Sequence, residues 1–239
     1  MCFSAEASFG VAAVLIPAGA YCLQAAARSK PPWLPLAAVP LILGVQQISE
    51  GLVWVGLAQD DPVLTRAASL VYLFLALAFW PFWSPFLVWF QERHPARRRI
   101  LAALALLGTV WFWAFYYPLV SGPESLLTTT IRHHSIYYQY EELGILRWIP
   151  PGASELCYLL MVTVPLFLAS GSRGHLPGLL LVASAVTAAA FFQYAFVSVW
   201  CFLAAVLAVG LVRMFHKAAA RSVPESEQTG HPGHLPKGE

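Results

Sequence analysis

Gln46-Gln47-Ile48-Ser49-Glu50-Gly51-Leu52-Val53-Trp54 sets a carboxylate and two amides inside an apolar run that begins at Leu34 and ends near Ala58. A run of that length can cross a bilayer, which asks for about 20 predominantly apolar residues. Positions i, i+4 and i+8 share one helix face, so Gln46, Glu50 and Trp54 point the same way, with Gln47 flanking Glu50 at i+3. An acid in the hydrocarbon slab costs about 2.5–3.5 kcal/mol on insertion scales. This face therefore turns into a bundle rather than toward lipid, and it marks where a site would lie.

The rest of the chain agrees with a membrane setting. Of 239 residues, 59% are hydrophobic and only 11% charged, against about 25% charged in soluble domains. An integral membrane protein of the plasma (inner) membrane is expected, with the lipid bilayer as its principal partner. The formal charge of +2 is too small to imply nucleic acid. Windows of 18 or more apolar residues give seven spans: 7–27, 34–58, 67–90, 100–119, 153–170, 176–193 and 195–214. The last two form one near-continuous run, broken only at Gln193-Tyr194, that is too long for a single crossing. The expected fold is an all-α bundle of seven transmembrane helices over residues 1–217, followed by a disordered cytoplasmic tail over 218–239. Between Val120 and Gly152 lies one long loop. Its segment from Leu127 to Tyr140 is rich in β-branched and aromatic residues, the composition of a strand or short hairpin, and such a loop suits a lid.

The aromatic run Phe79-Trp80-Pro81-Phe82-Trp83-Ser84-Pro85 reads as packing and interfacial anchoring, with two prolines that loosen the third span. Counting down from the helix ends places Glu50 in span two and Cys201 in span seven at similar depth, about 9–12 Å below the surface. A ligand pocket made of Gln46, Gln47, Glu50, Ser198 and Cys201, walled by Trp54 and Trp200, is geometrically allowed, with His134 above it and Cys2 on the same side. Glu50 fits either glue between helices or a functional acid. Cys201 fits a small apolar filler, a free thiol, or a disulfide with Cys2.

Several chemistries are argued down. The four cysteines show no C-x-x-C spacing, no H-E-x-x-H occurs, span seven holds no lysine for a retinal Schiff base, and no pair of histidines lies in the spans for a haem. No cofactor or metal is expected. The opening Met1-Cys2-Phe3-Ser4-Ala5-Glu6-Ala7-Ser8-Phe9, the Gln46-Gln47-x-x-Glu50-Gly51-x-x-Trp54 segment and Ser198-Val199-Trp200-Cys201-Phe202 together resemble an uncharacterised family of bacterial multipass membrane proteins, a domain of unknown function. The likeness covers most of the chain and implies a membrane location with no assigned activity. The leading reading is thus a membrane protein with a small-ligand pocket, as receptor, sensor or accessory subunit. Its rivals are a membrane enzyme using Glu50 with a thiol or His134, and a small-molecule or ion transporter.

Eleven of the 14 basic residues fall in alternate loops or the tail, among them Arg97, Arg98, Arg99 and Lys217, and the other loops hold only Arg66, Arg132 and Arg147. Basic residues collect on the cytoplasmic side, so the N-terminus is expected outside and the C-terminus inside. A reporter enzyme fused after Arg221 should be active only in the cytoplasm. Activity confined to the exterior would overturn this orientation.

Overall fold

Prolines and one acidic cap decide where the long helices begin. In the computed structural model, which describes residues 4–29, 31–140, 143–150, 152–170, 175–191 and 195–220, α1 spans Ala5–Ser29. α2 covers Pro31–Ala58, α3 Pro62–Gln91 and α4 Pro95–Ser121. α3 starts five residues before the apolar run suggests, because the Asp61 carboxylate accepts from the Val63 and Leu64 amides and Pro62 occupies the first turn. α4 likewise starts at Pro95, so Arg97, Arg98 and Arg99 ride on its first turns instead of in a loop. A two-stranded antiparallel hairpin follows, β1 Thr128–Arg132 and β2 Ser135–Gln139. The chain then runs through α5 Ala153–Leu168, α6 His175–Phe191 and α7 Phe196–Ala220. Among the described residues, α1, α2, α3, α4 and α7 include stretches long and apolar enough to cross a membrane, and α5 and α6 are shorter apolar helices of 16 and 17 residues. The break expected at Gln193-Tyr194, the residue Cys2 and most of the expected tail, from position 221, lie outside the described residues.

Helix contacts run from α1 to α2, α2 to α3, α3 to α5, α5 to α6, α6 to α7 and back from α7 to α1 and α2, with α4 laid against α3. Glycine makes the closest of these approaches. A Cβ at Gly19 would stand 2.4 Å from the Leu41 backbone nitrogen, and one at Gly108 would stand 2.5 Å from the Pro81 carbonyl oxygen. Backbones therefore touch at the α1–α2 and α3–α4 crossings, as small residues allow in membrane bundles.

α3 and α4 each contain a π-helical segment, Phe74–Phe79 and Phe112–Tyr116. Pro81 has no N–H to offer the carbonyl one turn earlier, and side chains take over that role. Trp111 Nε1 donates to the Leu77 carbonyl at 3.0 Å, and the Tyr158 hydroxyl donates to the Ala76 carbonyl. The hairpin closes this end of the bundle. Tyr138 stacks on Tyr72 of α3 with ring centroids 5.0 Å apart, and the Ser69 and Thr129 hydroxyls meet at 3.0 Å.

At the opposite end Glu92, just past α3, ties the α3–α4 connection to the one that follows α5. Its carboxylate accepts from the backbone amides of Arg93, His94 and Ser170 and from the Ser170 hydroxyl, all at 2.7–2.8 Å. Arg97 reaches the same Ser170 hydroxyl at 3.2 Å. Burial pushes the Glu92 carboxyl up, but these hydrogen bonds outweigh it and hold the group below its ordinary value of 4.5. A carboxylate lowered in the folded state stabilises above its unfolded pKa and loses that contribution as the pH falls through the folded one. Glu92→Gln should therefore lower the unfolding temperature at pH 7. The gap to the parent protein should close as the pH drops below about 4.5, read by thermal unfolding in detergent across a pH series.

Candidate functional site

Two turns of α2 carry the polar core of the bundle. Gln46, Gln47 and Glu50 are each 0% exposed, and an apolar bundle leaves them only protein partners. The Ser198 hydroxyl of α7 donates to Glu50 Oε1, and Gln47 Nε2 donates to Glu50 Oε2 at 3.4 Å. Trp80 Nε1 of α3 donates to Gln46 Oε1 at 2.9 Å. Gln46 turns its amide nitrogen toward the Cys201 thiol, which Tyr72 also faces, without meeting full hydrogen-bond geometry. Two consecutive helices, α2 and α3, and the distant α7 therefore share one layer through side chains alone.

Ser8 of α1 belongs to the same depth by helix register. Gly19 lies against Leu41, Gly44 against Ile16 and Gly51 against Phe9, so α1 and α2 run antiparallel and Ser8 falls level with the Glu50 turn. Its hydroxyl is buried with no hydrogen-bond partner among the described residues, as are Gln46 Nε2, Gln47 Oε1 and Trp54 Nε1. Buried polar atoms of this kind are uncommon in native proteins and ask for a cause.

Beside this layer opens a cavity of about 770 Å³, within the range of about 300–1,000 Å³ that small-molecule sites occupy. Its walls come from Trp111 and Phe115 of α4, Ile136 and Tyr138 of β2, Tyr158 of α5 and Phe196 of α7, and Ser198, Trp200 and Cys201 reach it from α7. Trp200 is fixed from two sides. Its Nε1 donates to the Ser184 hydroxyl at 3.1 Å and the Leu181 carbonyl at 3.3 Å, and its ring meets the Tyr158 ring edge-on at 5.5 Å. The cavity and the Glu50 layer are joined through Ser198, which belongs to both.

The expected site residues separate on this geometry. Gln46, Gln47, Glu50, Ser198 and Cys201 come together, and Trp200 stands beside them as a cavity wall. Trp54 is half-buried and packs against the main core cluster without lining the cavity. His134 is exposed at the hairpin turn and does not line the cavity. Cys2 lies outside the described residues, and Cys201 carries a free thiol. Sequence reasoning missed Tyr72, Trp80, Tyr158 and Ser8. Trp80 was available as a signal, since Pro81 and Pro85 mark a loosened helix whose nearby donors and acceptors find partners elsewhere. No group of three or more His, Cys, Asp or Glu side chains placed to hold a metal ion occurs among the described residues.

A family profile, described as a family of unknown function (DUF6629), matches residues 1–229. The chain belongs to this DUF6629 family. The match takes in the Glu50 face of α2 and the Ser198–Cys201 turn of α7, the two segments that supply the buried layer. Comparison with curated proteins finds no match, and comparison with solved structures finds none.

Ser198 and Glu50 should be energetically coupled. Ser198→Ala removes one donor from a buried carboxyl group, a loss of about 1–3 kcal/mol. The double variant with Glu50→Gln should depart from additivity by more than about 0.5 kcal/mol in thermal unfolding, beyond the scatter seen for independent sites. Strict additivity would mean that the two side chains do not act on each other.

Proposed function

We propose that this chain is a seven-helix protein of the plasma membrane, N-terminus outside and C-terminus inside, whose outer half binds a small ligand as a receptor, sensor or accessory subunit. The observation that carries the reading is the cavity of about 770 Å³ whose inner wall reaches the Glu50 layer through Ser198. Aromatic walls supply apolar contact, and Ser198 and Cys201 supply a few polar atoms that fix orientation, the usual composition of a small-molecule site. In this reading α5 and α6 are the fifth and sixth spans. At about 1.5 Å per residue they are about 24–26 Å long, short of the ~30 Å hydrocarbon core, and local thinning of the bilayer makes up the difference.

Two features favour binding over the rival chemistries. Glu50 is held by Ser198 and Gln47 behind the cavity wall, where it positions Ser198 instead of meeting a bound molecule. Below the polar layer, Leu15, Leu43, Ala205 and Ala208 form an apolar cluster with Val11, Val39 and Trp80. Apolar packing of this kind directly below the polar layer supports a site that ends at that layer.

The test is a thermal-shift titration of the purified full-length protein with two small aromatic probes, indole and 2-naphthol. A probe at 100 times its Kd stabilises by about 2.7 kcal/mol. Ala185→Trp, which projects an indole into the cavity from a residue 2% exposed, should abolish most of that shift. Shifts of equal size in the parent and Ala185→Trp, or none with either probe, would remove the cavity as the binding site.

A further inference from the structure

The cavity opens sideways, and that decides what can reach it. The hairpin roofs part of it with Ile136, 1% exposed, and Tyr138, 7% exposed, while the lining residues Pro150 and Gly152 are exposed at the head of α5. On its flank the lining residues Leu156 of α5 and Val186 of α6 are 55% and 59% exposed, and Ala189, also lining, is exposed beside them. Residues that line a cavity and also face outward define an opening, and here it lies between two apolar helices, where a membrane protein meets acyl chains. The polar groups are graded along the same path. Ser154 and Glu155 stand at the mouth, joined by a 2.7 Å hydrogen bond from the Ser154 hydroxyl to the carboxylate, and the deeper wall is aromatic. Glu155 is the one charged side chain among the described lining residues, and no lysine or arginine joins it.

Resting on the reading of this cavity as a ligand site, we infer that its ligand is a single-chain amphiphile with a neutral or cationic head, admitted laterally from the bilayer between α5 and α6. The head sits at Ser154 and Glu155, near the first turn of α5 and so at the level of the membrane interface. The chain lies inward against Trp111 and Phe115. An anionic head is rejected, since it would be set beside the Glu155 carboxylate with no cation to offset it, and like-charge juxtaposition costs several kcal/mol. The orientation matches that of an amphiphile already standing in the outer leaflet, so binding needs a sideways step and no inversion.

The experiment uses the full chain in phosphatidylcholine nanodiscs with three photoactivatable twelve-carbon probes carrying a chain diazirine, namely an alcohol, a primary amine and a carboxylic acid. Alcohol and amine should label peptides containing Leu159 and Val186 about tenfold more than the acid does. Glu155→Gln should bring the acid up to the level of the alcohol. Ala185→Trp should remove the labelling. Val186→Trp, at the mouth between α5 and α6, should slow loading. Labelling spread evenly around the bundle and indifferent to Ala185→Trp would overturn the inference, and equal labelling by the acid in the parent protein would overturn its choice of head. If the probes label evenly while indole or 2-naphthol still binds in a way that Ala185→Trp abolishes, the cavity stands and only the lipid-borne ligand falls. If neither class responds to Ala185→Trp, both readings fall together.

Discussion

A carboxyl group buried among apolar helices must find its hydrogen-bond partners within the protein, because the surrounding hydrocarbon offers none. The partners of Glu50 include Gln47 on its own helix and Ser198 from the far end of the sequence. The second bond fixes α7 against α2 in depth and rotation. Once α7 is set, Trp200 is carried to the Ser184 hydroxyl of α6 and to the Tyr158 ring of α5. Shape complementarity alone would leave apolar helices free to slide by a turn, since lipid is as apolar as leucine. The polar layer removes that freedom, and the cavity's inner wall inherits its register from it.

The opposite wall depends on a second constraint, imposed by proline. Pro81 and the π-helical segment before it leave α3 carbonyls without their ordinary intrahelical donors. Tyr158 takes Ala76 and Trp111 takes Leu77. Each of these donors is also a large aromatic ring, so satisfying the backbone places a ring in the cavity wall. Trp111 stacks on Phe115 at 3.9 Å and approaches Tyr158 at 6.1 Å. The helix irregularity and the aromatic lining are therefore one arrangement, and straightening α3 would release the rings along with the carbonyls.

Much of this was legible in the chain itself. Apolar length identified the long helices, and i, i+4 spacing put Gln46 and Glu50 on one buried face. Depth counting paired that face with Ser198 and Cys201, because rise per residue is the same on every helix. β-branched and aromatic composition marked the hairpin. Helix beginnings were misplaced at Pro62 and Pro95, where a cap and a first-turn proline extend helices beyond their apolar runs. Trp80 read as an interfacial anchor, since its residue type suits a membrane belt equally well. Its bond to Gln46 depends on which helices are neighbours, and hydropathy carries no information about neighbours. The same gap hid Tyr72 and Tyr158, whose partners lie on other elements. Trp54 shares the face of Glu50 by periodicity yet misses the cavity, because one helix face can meet more than one neighbour along its length.

The hairpin turn shows how the roof that the strands give the cavity is held in place. His133 and His134 adopt positive φ angles of 46° and 58°, the conformation that a two-residue turn between antiparallel strands requires and that glycine or asparagine meets at lower cost. Each such residue costs about 1–3 kcal/mol. Tightness at the turn brings Ser135 and Ile136 directly into register with Arg132 and Ile131, so Ile136 and Tyr138 point into the bundle together, as alternate residues of one strand must. Burying those two side chains contributes about 1.5–3 kcal/mol each, and the stacking of Tyr138 on Tyr72 adds about 0.5–1.5 kcal/mol. The strain and the burial are of the same size, so the hairpin is held by its contacts with the bundle rather than by its own turn. A longer, relaxed turn would lose the fixed register that sends both side chains inward, and the cavity would lose the part of its roof that the hairpin supplies.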